Sequence, residues 1–258
     1  MRRQLKNRRN RECHISDDIP ISVIIPARNE EKTIRRVIAE AKRINRKTEV
    51  IVVCNGNTDR TAGIANKAGA KVISYAESLG HDVGRAIGAS HANGEVLLFV
   101  DADFVIPTWI LRKYCLDVIN GWDVVLNSYS GIVTKSYMDL VTEAKRVLNH
   151  LAGRPDLIGS SFTTVPHACS KKAVEIIGYE NLAIPPLAQV QAIVSGLKIK
   201  RGHLIYTPYV NRKRKRPRNS VIHLVLGDHV EAIRSIIQAR GIRGGYDGPG
   251  GENESNET

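Results

Sequence analysis

No stretch of this chain holds the ~18 consecutive apolar residues that a membrane-spanning helix needs. The opening residues, Met1-Arg2-Arg3-Gln4-Leu5-Lys6, lack the apolar segment of a secretory signal. Cys13, Cys54, Cys115 and Cys169 are scattered and form no C-x-x-C pair, which argues against a disulfide framework and against a zinc site. These absences lead us to expect a reducing, cytoplasmic setting. Aromatic residues make up 5% of the chain, and neither Tyr nor Phe interrupts the basic run from Arg212 to Arg218. That leaves little to stack on bases, so a nucleic-acid binder is disfavoured. No internal repeat is visible.

What is present is ordinary globular composition, 42% hydrophobic and 25% charged over 258 residues, enough for one large α/β domain or two small ones. The net charge of +12 is concentrated in two places. Residues 1–12 carry +5 and residues 211–218 (Asn211-Arg212-Lys213-Arg214-Lys215-Arg216-Pro217-Arg218) carry +6, so the remaining body is close to neutral. Cationic arms of this kind are either solvated tails or contacts for phosphate, whether on an anionic lipid headgroup or on a phosphorylated substrate. Peripheral contact with the inner face of a membrane is therefore an expectation, with Arg212 a candidate phosphate contact.

Apolar runs and helical spacing alternate from residue 21 onward. Ile21 to Ile25, Glu49 to Val53, Lys71 to Ser74 and Glu95 to Val100 read as strands. Glu30 to Asn45, Asp59 to Ala68 and Asp82 to Ala92 read as the intervening helices. This β-α alternation predicts a three-layer, mainly parallel, Rossmann-like α/β sheet in a single domain. Further on, the pattern predicts helices over Pro107–Asn120, Ser136–Leu151, Ser170–Ile177, Pro186–Ser195 and Asp228–Arg240. Strands are predicted over Asp123–Ser128 and Leu197–Tyr206, with 159–168 extended. Residues 1–18 and 244–258 are expected to be disordered.

The chemistry-bearing residues sit where these strands end. Leu97-Leu98-Phe99-Val100 stops abruptly in Asp101-Ala102-Asp103. Two hard oxygen ligands at the carboxyl end of a buried strand suit Mg²⁺ or Mn²⁺, which in turn would hold a diphosphate. Alone, such a pair also closes an ordinary polar turn. Pro26-Ala27-Arg28-Asn29-Glu30 follows the first strand and opens a helix, a natural seat for a nucleotide, although Asn29 is equally a helix cap. After the second strand comes Cys54-Asn55-Gly56-Asn57-Thr58-Asp59, a turn whose asparagines are suited to read a base or ribose edge. Gly80-His81-Asp82-Val83-Gly84-Arg85-Ala86 precedes the fourth strand, and Arg85 is placed to approach a diphosphate. Four successive loops at one edge of a sheet carry more weight together than any one alone.

In order and spacing these segments resemble the family 2 glycosyltransferases and their relatives of the GT-A fold, over roughly residues 20–130. There is a fainter similarity to retaining glucosyl-3-phosphoglycerate synthases. The resemblance implies transfer of a sugar from a nucleotide-diphosphate donor with Mg²⁺ or Mn²⁺, and a division into a donor half (19–130) and an acceptor half (131–243). It implies that Pro26, Ala27, Arg28, Asn29, Glu30, Asn55, Asn57, Gly84, Arg85, Asp101 and Ala102 form the donor site, with Asp101 and Asp103 holding the metal. Asn55 stands where many members place an Asp against the base. The second half departs from the pattern: Pro185-Pro186 stands where inverting members place an acidic base, and Glu180 is the nearest carboxylate. Either Glu180 or another acid serves, or the acceptor is already ionised, as a polyprenyl phosphate is, or configuration is retained without a conventional base. His167 is a candidate on the acceptor side. His229, in a segment read as opening the last helix, is a candidate for the metal or for phosphate, with Asp228 as a possible cap. The competing readings are a nucleotidyltransferase, whose Gly- and Lys-bearing first loop is missing, and a non-catalytic nucleotide-sugar binder.

Overall fold

The computed structural model describes residues 15–131, 138–207 and 218–241. The basic run through Arg212, the residues before Ile15 and the tail after Gly241 lie outside them. Seven strands form one sheet in the order β3-β2-β1-β4-β6-β5-β7. The strands are β1 (Ile21–Ala27), β2 (Thr48–Asn55), β3 (Lys71–Tyr75), β4 (Val96–Phe99), β5 (Val124–Leu126), β6 (His167–Ser170) and β7 (Ile199–Arg201). Every pairing is parallel except those of β6, which runs against both β4 and β5. The helices are α1 (Ile34–Lys42), α2 (Thr61–Lys67), α3 (Val83–Ser90), α4 (Thr108–Ile119), α5 (Leu140–Leu151), α6 (Lys171–Ile177), α7 (Pro185–Val194) and α8 (Arg218–Arg240).

β1 and β4 read as unbroken apolar runs because both faces of a parallel sheet are covered. On one face Val23 and Ile25 of β1 pack with Ile34, Val37 and Ile38 of α1 and Leu111 and Tyr114 of α4. On the other, Ile24 and Phe99 pack with Ala89 of α3, Val174 of α6 and Ala188 of α7. This is the three-layer, mainly parallel arrangement that the alternation predicts. A third, smaller cluster (Leu148, Ala152, Val190, Ala232, Ile236) fastens α8 onto α5 and α7.

The chain reverses its lateral progress between β1 and β4: β2 and β3 lie to one side of β1, β4 to the other. Crossovers diverging from adjacent strands leave a crevice at their carboxyl ends, and that is where ligands bind in open α/β sheets. The opposite ends of these strands are closed by polar bonds. Buried Ser22 donates to Glu49 Oε1 at 2.5 Å and accepts from the Gly94 amide at 2.7 Å, and the same carboxylate accepts from the Asn93 amide.

Several elements differ from the sequence expectation. The last helix begins ten residues earlier, at Arg218 rather than Asp228, so Asp228 is not its cap. Gly227 lies inside the helix, where a Cβ would meet nothing within 4 Å, and is no break. β7 is three residues long, not ten, and 159–168 is extended only from His167. α5 starts at Leu140, with Asp139 accepting from the Thr142 amide as its N-cap. Ordered packing already includes Ile15, which is 1% exposed in the core, and Asn45 donates to the carbonyls of Ser16 and Ile19. Among the described residues no helix is long and apolar enough to cross a membrane.

A Cβ on Gly94 would lie 2.5 Å from the Ser22 backbone nitrogen, whereas on Gly63 of α2 it would meet nothing within 4 Å. Gly94→Ala is therefore expected to cost about 1–3 kcal/mol, because the obstruction is backbone and cannot swing away. Gly63→Ala should gain about 0.5–1 kcal/mol from the lower chain entropy of the unfolded state. Thermal melts of the two variants check the pair.

Candidate functional site

The four loops at the carboxyl ends of β1 to β4 meet around a cavity of about 320 Å³. Pro26, Ala27, Arg28 and Glu30 come from the first loop and Asn55 from the second. Ser78, Gly80, His81 and Asp82 come from the third, with Arg85 behind them in α3, and Asp101, Ala102 and Asp103 from the fourth. Val221 of α8 completes the wall.

Asn29 and Asn57 do not line this cavity; they build its rim. Asn29 adopts φ 58, a left-handed conformation that Asn tolerates better than most side chains. There its amide donates to Asn57 Oδ1 at 3.1 Å while its own Oδ1 accepts from the Thr58 amide at 2.8 Å. The Glu30 amide donates to Thr61 Oγ1 and the Glu31 amide to Asp59. Burial works against the Asp59 charge, yet the hydrogen bonds from Thr61 and the Glu31 amide outweigh it and hold the carboxyl below its usual range. These bonds spend the free amides that a helix start would offer, and α1 begins only at Ile34.

Gly84 also acts indirectly. A Cβ on it would lie 3.1 Å from the Pro26 ring, and one on Gly88 would lie 2.4 Å from Ile24 Cγ2, so the two glycines let α3 rest against the end of β1. Asn55 faces the cavity, but much of its amide is committed. Nδ2 donates to the Gly80 carbonyl at 2.6 Å and Oδ1 accepts from the Leu79 amide at 2.7 Å. Backbone partners of both kinds fix which end of the amide is which. One N–H and one lone pair remain for a ligand.

Arg85 is buried and stays charged: desolvation opposes the charge, but Asp82 and Asp101 more than offset it and raise its pKa. It pairs closely with Asp82 and, at 3.4 Å, with Asp101 Oδ1. Asp101 and Asp103 are the cavity's carboxylates at the end of β4, and among the described residues no group of three His, Cys, Asp or Glu side chains could hold a metal by itself. An all-oxygen pair beside space for an anionic ligand fits Mg²⁺ or Mn²⁺, which keeps waters and takes substrate phosphate oxygens alongside one or two carboxylates.

The structure does not bring the acceptor-side candidates to this cavity. Glu180 is exposed, at the start of a short 3₁₀ turn (Glu180–Ala183), and does not line it. His167 is 1% exposed on β6, stacked on Phe99 at 4.7 Å between ring centroids and tilted against Phe162 at 5.0 Å. Burial, reinforced by the Arg85 charge, pushes its pKa down to about 3. It is a neutral core ring. His229 lies mid-helix with Nδ1 2.6 Å from the Val225 carbonyl of its own helix, buried, and does not line the cavity of Asp101 and Asp103. Ser78, Gly80, His81, Asp82 and Val221 are the wall residues that sequence reasoning passed over. His81 and Asp82 stood in a segment already quoted, whereas Val221 belongs to the unforeseen half of α8.

With this geometry in place, the comparisons with known proteins fall into two tiers. Fold comes first. The structure superposes on glucosyl-3-phosphoglycerate synthase from Mycobacterium tuberculosis, solved with Mn²⁺, uridine diphosphate and phosphoglyceric acid, with a TM-score of 0.65. The identity is 21%, over 83% of this chain and 78% of that one, which establishes a common GT-A architecture. Residues 22–116 match the family model for glycosyl transferase family 2, so the resemblance carried by the motifs holds over that stretch. Among curated relatives, a 4,4'-diaponeurosporenoate glycosyltransferase of Staphylococcus haemolyticus is 39% identical over 89 residues, 32% of this chain and 24% of its own length. A dolichyl-phosphate hexose transferase of Haloferax volcanii is 36% identical over 106 residues, 41% of this chain and 46% of its own. The chain thus spans less than half the length of these two relatives.

The His167 pKa of about 3 against an ordinary 6.5 has a consequence for stability. Between those values the unfolded chain binds the extra proton, so this contribution is fully present above about pH 6.5 and is lost as the pH falls toward 3, by about 1.4 kcal/mol per unit. The melting temperature should decline from pH 6.5 to 5, before most carboxylates titrate. His167→Phe, which keeps the ring stack, should flatten that slope.

Proposed function

We propose that the protein is a glycosyltransferase that moves a sugar from a nucleotide-diphosphate donor to a phosphorylated acceptor, with a divalent cation at Asp101 and Asp103. The observation that carries this reading is the convergence of four strand-end loops on one cavity whose far wall holds two carboxylates and a buried arginine. Pro26, Ala27 and Asn55 are proposed to take the nucleoside, with the residual N–H and lone pair of Asn55 available to the base. Arg85 is proposed to meet the diphosphate. The cation, when bound, neutralises charge building on the departing nucleoside diphosphate. Asp103 and Asp101 hold it, and Arg85 adds a fixed positive charge in a largely desolvated wall.

A phosphorylated acceptor is favoured because Glu180 does not line the cavity. A hydroxyl acceptor needs a base to take its proton, whereas a phosphate oxygen is already ionised at neutral pH. Two of the relatives point the same way by name: the Haloferax enzyme, and an undecaprenyl-phosphate 4-deoxy-4-formamido-L-arabinose transferase of Salmonella paratyphi A, 26% identical over 146 residues, 52% of this chain and 43% of its own length. The donor half (19–130) and acceptor half (131–243) are proposed as two parts of one domain.

A panel of nucleoside diphosphates and nucleotide sugars, each with and without Mn²⁺, tests this by thermal shift. The matching donor near 100 times its Kd should stabilise by about 2.7 kcal/mol, and only with metal present to the full extent. Asp103→Asn should keep the unliganded melting temperature while losing the metal-dependent part of the shift and at least a hundredfold of turnover. Full metal-dependent activity in that variant would overturn the assignment. A shift without release of nucleoside diphosphate would indicate a binding protein instead.

A further inference from the structure

Asp82 occupies the N-cap position of α3, where an aspartate ordinarily turns back to accept from the helix's first free amides. Here it makes no such bond. Its carboxylate is turned onto Arg85, three residues on, and both side chains are almost fully withdrawn from water, at 8% and 7% exposed. The guanidinium's other edge reaches Asp101 Oδ1 at 3.4 Å through Nη2. Its Nε–H, also buried, has no hydrogen-bond partner among the described residues. All three side chains belong to the wall of the cavity.

A guanidinium carries five N–H donors in a rigid plane, so fixing one edge fixes the other. With Asp82 removed, the strongest anion left to Arg85 is Asp101, and a two-pronged pair with that carboxylate would occupy the oxygens proposed for the metal. With Asp82 in place, one edge is taken, the approach to Asp101 is long, and Nε–H stays uncommitted. Arg85 borders the cavity, where an anionic ligand would offer the guanidinium a closer partner than Asp101 does.

We propose that Asp82 is a positioning residue: it holds one edge of the Arg85 guanidinium in the cavity wall so that the guanidinium meets the donor's diphosphate and Asp101 is kept for the cation. This deepens the donor-site reading and rests on it. Asp82 itself touches neither phosphate nor metal.

The test uses the full chain, Mn²⁺ and the nucleoside diphosphate that stabilises the wild type, with the monophosphate of the same nucleoside as control. Binding is measured by calorimetry. Asp82→Asn should weaken the diphosphate at least tenfold and the monophosphate less than threefold, because the nucleoside seat is untouched. Arg85→Lys keeps the charge but loses the fork, so it should give the same split, and the double variant should lose no more than either alone. Wild-type diphosphate affinity in Asp82→Asn overturns the proposal, as does a parallel loss of both nucleotides, which would mark a merely structural role. If Asp82→Asn gives no cooperative melt, Arg85→Lys decides: equal losses for the two nucleotides count against the proposal. Failure of every nucleoside diphosphate to bind the wild type would instead bring down the donor reading, and this inference with it.

Discussion

The parallel pairing of β1 with β4 is the constraint on which the site depends. In its register Ile24 stands opposite Phe99, and the Val100 amide continues the ladder onto the Ile24 carbonyl. Two residues further on, the chains have diverged, one into Pro26–Glu30 and the other into Asp101–Asp103. A one-residue slip would exchange the two faces of β4 and send Asp101 away from the crevice. The register is held at the far end as well, where Ser22 and Glu49 gather the Gly94 and Asn93 amides. The glycines at 84 and 88 then let α3 approach closely enough for Arg85 to reach Asp101.

Charge placement in the crevice follows from burial. Asp101 keeps a third of its side-chain surface exposed, whereas Arg85 and Asp82 are withdrawn, so the strongest ion pair lies in the wall and the weaker one faces the opening. Breaking a buried pair leaves an uncompensated charge, which typically costs about 3–5 kcal/mol, so the wall pair is anchored. The Asp101 contact, longer and more hydrated, is the one that a cation can displace. Under the proposed function, Arg85 and a bound cation would act on Asp101 in opposition until an anionic ligand offered the arginine another partner, which would couple metal loading to nucleotide loading.

The first half of the fold was legible because its elements are held by periodic apolar contacts, and period is what a sequence displays. Ile34, Val37, Ile38 and Ala41 announce α1, and the run Leu97 to Val100 announces β4. The roles of Asn29 and Asn57 were not legible in the same way. Both types suit a ligand contact and a loop lock equally well, and only the φ of 58 at Asn29 and the reciprocal bonds decide for the lock. Asp82 was hidden by the same ambiguity, since an Asp ahead of a helix reads as a cap. α8 was misjudged through Gly227, whose helical conformation is tolerated on an open face but mimics a stop signal.

The second half resisted reading for a different reason: its segments are held by buried polar side chains, which have no period. Asn149 of α5 donates to the carbonyls of Ile158 and Ser160, and Gln189 of α7 donates to Asn149 and accepts from the Phe162 amide. Lys145, fully buried and pushed down to about 8 by desolvation, donates to Thr164 Oγ1 at 2.7 Å. These bonds clamp residues 158–164 without a strand ladder, in place of the extended segment that the sequence led us to expect. Lys145 and His167 meet at Thr164, one at its hydroxyl and the other at its carbonyl, and the Arg85 charge bears on the His167 ring, so this buried polar cluster adjoins the cavity wall.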